Sequence, residues 1–134
     1  MPRKPWVIQP SKTSAKVPDA IKRELQERAS EVIENILKPK HVKAPRENEE
    51  FNYISDISAK WYRHYFYFIA TYTCPGPNAL TPSFESKFAR LEYLGNSEFA
   101  MYFMRHNGEW VGIYDDLSVD ECLKAVQEDS WFHP

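Results

Sequence analysis

Between residues 19 and 37, apolar side chains recur at three- and four-residue steps: Ile21, Leu25, Ala29, Val32, Ile33, Ile36 and Leu37, with Lys22, Arg23, Glu24, Glu27, Arg28, Glu31 and Glu34 opposite. That spacing predicts an amphipathic helix about 28 Å long, laid with one face over a sheet. Pro18 and Asp19 suit its first turn, and Pro39 is expected to stop it.

From Phe51 to Tyr114 the pattern changes. Of the chain's 20 aromatic residues, 17 lie in this stretch, and such side chains favour pleated, half-buried surfaces. Five strands are predicted, at about 50–57, 60–73, 83–94, 98–105 and 109–114. Gly95-Asn96-Ser97 and His106-Asn107-Gly108 supply tight turns, the second with the Asn-Gly pair that favours a type I′ hairpin. Within the second predicted strand, alternation puts Tyr62, His64, Phe66, Phe68, Ala70 and Tyr72 on one face and Trp61, Arg63, Tyr65, Tyr67, Ile69 and Thr71 on the other. Both faces are partly aromatic, so an interior strand is expected. One face should meet the helix. The other, carrying Trp61, Arg63, Tyr65 and Tyr67, becomes the candidate interaction surface.

Ser118-Val119-Asp120-Glu121 has the form of a capping box, and Val119, Cys122, Leu123 and Val126 then give one apolar face. A short helix ending near Asp129 is expected, with Trp131 and Phe132 folding back onto the sheet. The fold class is therefore α+β: a long N-terminal helix packed on a five-stranded antiparallel meander, with a short C-terminal helix.

Charge adds a division that the hydrophobic pattern does not show. Residues 1–46 carry 11 Lys/Arg against 5 Asp/Glu, while residues 47–134 carry 6 against 14. Residues 1–17 hold four basic residues, three prolines and no acid, with Trp6, Val7 and Ile8 as the apolar cluster. They are expected to form an arm, either disordered or anchored across the domain by Trp6, ahead of a single domain over 18–134. A basic connector, Lys38 to Arg46, precedes the acidic Glu47-Asn48-Glu49-Glu50. Cys74 and Cys122 lack the paired spacing of a zinc site or the density of a disulfide scaffold, so both are expected to be reduced thiols. With no apolar run of signal-peptide or membrane-span length, a soluble cytoplasmic protein with no membrane contact is expected.

Candidate chemistry is sparse. Glu85-Ser86-Lys87 has the acid-x-Lys form of metal-dependent nucleases, with Asp56 as a second carboxylate that would help hold a divalent ion. A triplet of such common residues also arises by chance, and the strand runs on into a hairpin rather than a helix. His41, His64, His106 and His133 show no ligand spacing, and Cys74-Pro75-Gly76-Pro77-Asn78 is a turn rather than a phosphate loop. No metal or cofactor is expected.

Ala89-Arg90-Leu91-Glu92-Tyr93, the run Phe99 to Tyr114, and Leu123, Val126, Asp129 and Phe132 together resemble a bacterial family of small domains of unknown function. The resemblance covers about residues 84–133 and marks Arg90, Arg105, Trp110 and Tyr114 as pattern positions. It implies a strand-turn-strand-helix unit and no particular activity. Arg105 and Trp110 flank the Asn-Gly turn, so a guanidinium stacked on an indole is expected there. The functional reading is a non-enzymatic protein-interaction or regulatory module, with a homodimer or an unknown protein as partner. The alternatives are a nucleic-acid-binding module using the basic arm and strand aromatics, disfavoured by the acidic body, and the nuclease-like enzyme.

Overall fold

The computed structural model describes residues 16–44, 51–77 and 79–134. The expected arm apart from its last two residues, the Trp6 anchor and the acidic Glu47–Glu50 stretch lie outside the described residues.

A helix α1 (Asp19–Val32) continues through a single π-helical turn, Ile33–Leu37, into a last α-helical turn, α2 (Lys38–His41). The helix thus runs past Pro39, where the sequence predicts a stop. Its backbone reason is the π-turn, in which the Lys38 amide donates to the Ile33 carbonyl. The wider turn lies just ahead of a residue that has no N–H to give and whose ring crowds the preceding turn. Leu25, Ala29, Ile33 and Leu37 are all buried and form the stripe the spacing predicts.

Five strands follow in one antiparallel meander: β1 (Tyr53–Tyr62), β2 (Tyr65–Thr73), β3 (Ser83–Gly95), β4 (Glu98–Met104) and β5 (Trp110–Leu117), in spatial order β1-β2-β3-β4-β5. β2 is interior, as expected, but its start is not. The chain reverses at Arg63-His64, where Arg63 takes φ +58°, and Tyr62 pairs with Tyr65 across that turn. The predicted second strand therefore straddles a hairpin. A two-residue turn without Gly, Asn or Asp, inside an unbroken aromatic run, leaves no local mark in the sequence.

The two downstream turns differ in geometry. Asn96 and Ser97 both have positive φ, +52° and +60°, and close a type I′-like link between β3 and β4. At the Asn-Gly pair only Gly108 is left-handed, at φ +86°. There the Gly108 amide donates to the Arg105 carbonyl at 2.9 Å and the Arg105 amide to the Glu109 carbonyl at 2.8 Å. This is a type I turn over His106-Asn107 followed by a glycine bulge, so the expected type I′ turn is corrected.

α3 (Val119–Glu128) begins with the capping box the sequence contains: the Glu121 amide donates to Ser118 Oγ at 3.2 Å, and the Ser118 amide to Glu121 Oε1 at 2.9 Å. Phe132 is fully buried, and Trp131, though half exposed, meets the Phe103 ring at 4.8 Å between centroids. The helices and this C-terminal segment cover one face of the sheet. Phe66, Phe68, Leu91, Phe99 and Met101 point into that core. Burial pushes the Cys122 thiol well above its ordinary pKa and leaves it a packing residue. Among the described residues, no helix is long and apolar enough to cross a membrane.

Candidate functional site

The face of the sheet turned away from the helices is built by strand alternation. In register across β1 to β5, Lys60 stands opposite Tyr67, Tyr67 opposite Arg90, Arg90 opposite Tyr102 and Tyr102 opposite Gly112. The next row places Tyr62, Tyr65, Glu92 and Ala100 side by side. Gly112 has no side chain, so the row opens beside Tyr102, and the ring of Trp110, from the same strand, reaches the cation of this row.

That cation is Arg90. Its guanidinium carbon lies 4.3 Å from the ring centre of Tyr65, 4.2 Å from Tyr102 and 5.0 Å from Trp110. Such contacts contribute about 0.5–2 kcal/mol each, and more as water is excluded. Among the described residues no carboxylate lies within ion-pair range of Arg90, and its buried Nε has no hydrogen-bond partner. Next to it, the Lys87 ammonium sits 4.8 Å over the ring of Tyr67, whose ring lies 5.9 Å from Trp110.

A buried acid stands beside this cage. Glu92 is 3% exposed, and its Oε1 accepts a 2.6 Å hydrogen bond from the Tyr102 hydroxyl. Its Oε2 lies 3.8 Å from His64 Nε2, and neither atom has a hydrogen-bond partner. Burial, reinforced by the bond to Glu92, drives the Tyr102 hydroxyl far above the ordinary tyrosine pKa. Burial, with Glu92 nearby, raises Tyr65 as well. Both phenols are thus held neutral, and Tyr102 is the one that donates to Glu92.

Four of the candidate residues from the sequence separate in the structure. Tyr65 and Tyr67 lie on the outer face as expected. Trp61 and Arg63 do not share it, because the chain reverses between them and Tyr65. Trp61 packs against the core, with its indole N–H donating to the Lys22 carbonyl at 3.1 Å and its ring 5.2 Å from Phe66. Arg63 sits exposed in the turn, 5.3 Å over the Tyr62 ring. The pattern positions separate too. Arg105 stands opposite Glu109 at the hairpin end, and Met104, not Arg105, pairs with Trp110. The expected Arg105–Trp110 stack is therefore replaced by Arg90–Trp110. Tyr114 faces the C-terminal segment, where its hydroxyl donates to Asp129.

Asp56 and Glu85 do not converge. Thr71 stands between them in register, and among the described residues no three His, Cys, Asp or Glu side chains are grouped to hold a metal ion. Asp56 pairs instead with Lys38 at 3.1 Å.

Sequence reasoning passes over Glu92, Lys87's place beside Tyr67 and the Arg90 cage. Its one usable mark is Arg90 and Glu92 at alternate positions on a strand, since charges so spaced share a face.

Comparison with curated proteins and with solved structures returns no match. A family profile does match over residues 17–134, nearly the whole chain, including all five strands and the Arg90 cage. The chain belongs to the family described as a domain of unknown function, DUF3024.

Proposed function

We propose that this domain is a non-enzymatic protein-interaction module whose outer sheet face takes an acidic segment of a partner protein. The observation that carries this reading is Arg90: a guanidinium clamped among Tyr65, Tyr102 and Trp110 with no carboxylate in ion-pair range among the described residues. Packing against three rings removes the entropy that a free arginine would lose on binding. An incoming carboxylate then gains a charge-assisted, two-point hydrogen bond to a group already in position. Lys60, opposite Tyr67 in the same row, and Lys87, whose ammonium reaches over the Tyr67 ring from the neighbouring row, extend the positive strip.

The charge of this strip argues against a second copy. A two-fold interface sets like patches against each other, which would bring Arg90 and Lys87 towards their own counterparts. It also argues against base stacking, because the faces that bases need on Tyr65, Tyr67, Tyr102 and Trp110 are taken by cations.

The test uses an acetylated, amidated octapeptide of alternating Glu and Thr, and an oligothymidylate of similar length, each titrated against the full chain by fluorescence anisotropy. Tyr65→Glu, which supplies Arg90 with an internal carboxylate, and Arg90→Gln should each weaken peptide binding at least about tenfold with the far-ultraviolet dichroism unchanged. A wild-type mass of two chains that halves in Tyr65→Glu would replace the acidic partner with a dimer seam. Oligothymidylate binding lost in both variants would replace it with nucleic acid, and a wild type that binds neither probe overturns the reading.

A further inference from the structure

The β3–β4 ladder does not run the length of either strand. It starts at Arg90↔Tyr102, whereas β3 begins at Ser83 and β4 continues to Met104 in partnership with β5 alone. Two features end it: β4 turns into its hairpin after Met104, and the register of β2 with β3 shifts between Phe68 and Ile69, which skips Phe88 and bends β3 as its ring turns into the core. The two strands splay from that point. Between them opens a cleft of about 720 Å³, with Glu85, Ser86, Lys87 and Phe88 on one wall and Met104, Arg105, His106 and Gly108 on the other. Trp131, His133 and Pro134 line it from the C-terminal segment.

Two properties of this cleft point to the same occupant. The first is backbone: over Ser83–Phe88, β3 pairs with β2 on one side and, among the described residues, with no strand on the other, so on that side every second residue turns an amide and a carbonyl without a ladder partner to the cleft. The second is charge: among the described residues Lys87 and Arg105 have no carboxylate within ion-pair range, and Glu85 is the acidic side chain of the lining. An edge of bare backbone selects an extended chain, and the cations select its side chains.

We infer that an extended acidic peptide segment adds to β3 as an extra strand inside this cleft, with its main chain on the Ser83–Phe88 edge and its carboxylates on Lys87 and Arg105. The inference rests on the protein-interaction reading and names how the partner is held. Alternation suits it: a peptide with acids at every second position turns all of them to one face. Lys87 lies on both the cleft wall and the Arg90 strip, so one segment spans the two.

The experiment compares the Glu-Thr octapeptide with the same peptide N-methylated at every second residue in each of the two phases, against wild type, Arg90→Gln and Arg105→Ala, with backbone amide exchange followed by nuclear magnetic resonance. Strand addition predicts that one phase of methylation weakens binding at least about thirtyfold while the other is tolerated. It also predicts that amides within Ser83–Phe88 become protected and that Arg105→Ala weakens binding about threefold to tenfold. If both methylated peptides bind like the parent, strand addition is overturned, and dependence on Arg90 then leaves the outer-face reading standing. If one methylation phase abolishes binding but Arg90→Gln changes nothing, the cleft stands and the outer-face reading falls. Equal competition by inorganic phosphate reduces the cleft to a simple anion site and overturns the inference. So does edge protection that appears with protein concentration in the absence of peptide, which would mark a second copy.

Discussion

Tyr102 donates its hydroxyl proton to Glu92 across 2.6 Å on a sheet face where Glu92 is almost wholly buried. Tyr102→Phe keeps the ring under Arg90 and removes the donor, which leaves a buried carboxylate oxygen without its bond. The expected loss is about 1–3 kcal/mol of stability, measured as a lower urea midpoint at unchanged slope. Adding Glu92→Leu to that variant should recover part of the loss, because no buried charge then remains. A single variant as stable as wild type would show that the bond contributes nothing.

Gly108 is left-handed at φ +86°, and a Cβ placed there meets open space. The cost of a side chain is therefore backbone strain rather than collision. Gly108→Val should destabilise by about 1–3 kcal/mol, whereas Gly108→Asn, which tolerates this region, should cost clearly less. Thermal melting of the two variants separates strain from sterics: equal melting temperatures would remove the bulge assignment.

Ser118 closes the capping box of α3, and Arg28 of α1 pairs with Asp120 in the same first turn. Ser118→Ala should cost about 0.5–2 kcal/mol by releasing one amide at the helix start. Because both side chains of the pair are exposed to solvent, Asp120→Asn should cost less than Ser118→Ala. Chemical denaturation of both variants checks the order.

His41 ends the long helix with its ring edge-on to His133, 5.0 Å between centroids. Burial, then His133, then Lys40 hold its pKa below the ordinary value of 6.5. Folding therefore favours the neutral ring. The stability this contributes is present above the unfolded-state pKa and is lost as pH falls through the lowered folded-state value. His41→Gln should flatten the decline of melting temperature on acidification, and His133→Gln should raise the His41 pKa in a proton titration. A His41 that titrates at or above 6.5 would contradict the packing of these two rings.

Local chemistry determined a good deal of this protein. The stripe Leu25-Ala29-Ile33-Leu37 is a helix because three- and four-residue spacing has one rotational solution. The Ser118–Glu121 box closes within its own four residues, and the faces of Phe66, Phe68, Tyr65 and Tyr67 follow from alternation alone. Each is an interaction between residues near in sequence, so the sequence contains both partners. Tertiary structure decided the rest. The reversal at Arg63-His64 is set by the pairing of β1 with β2, since nothing local demands it, and it moved Trp61 to the helix side. Helix continuation through Pro39 depended on a π-turn that packing against the sheet selects. Above all, the register of β2, β3 and β4 brought Arg90 between Tyr65, Tyr102 and Trp110, and a one-residue shift in β3 parted it from β4. Register is a sum over many weak cross-strand contacts, and a one-residue slip turns every side chain to the opposite face. The aromatic and basic residues were visible in the sequence; which ring would meet which cation was settled only when the strands were laid side by side.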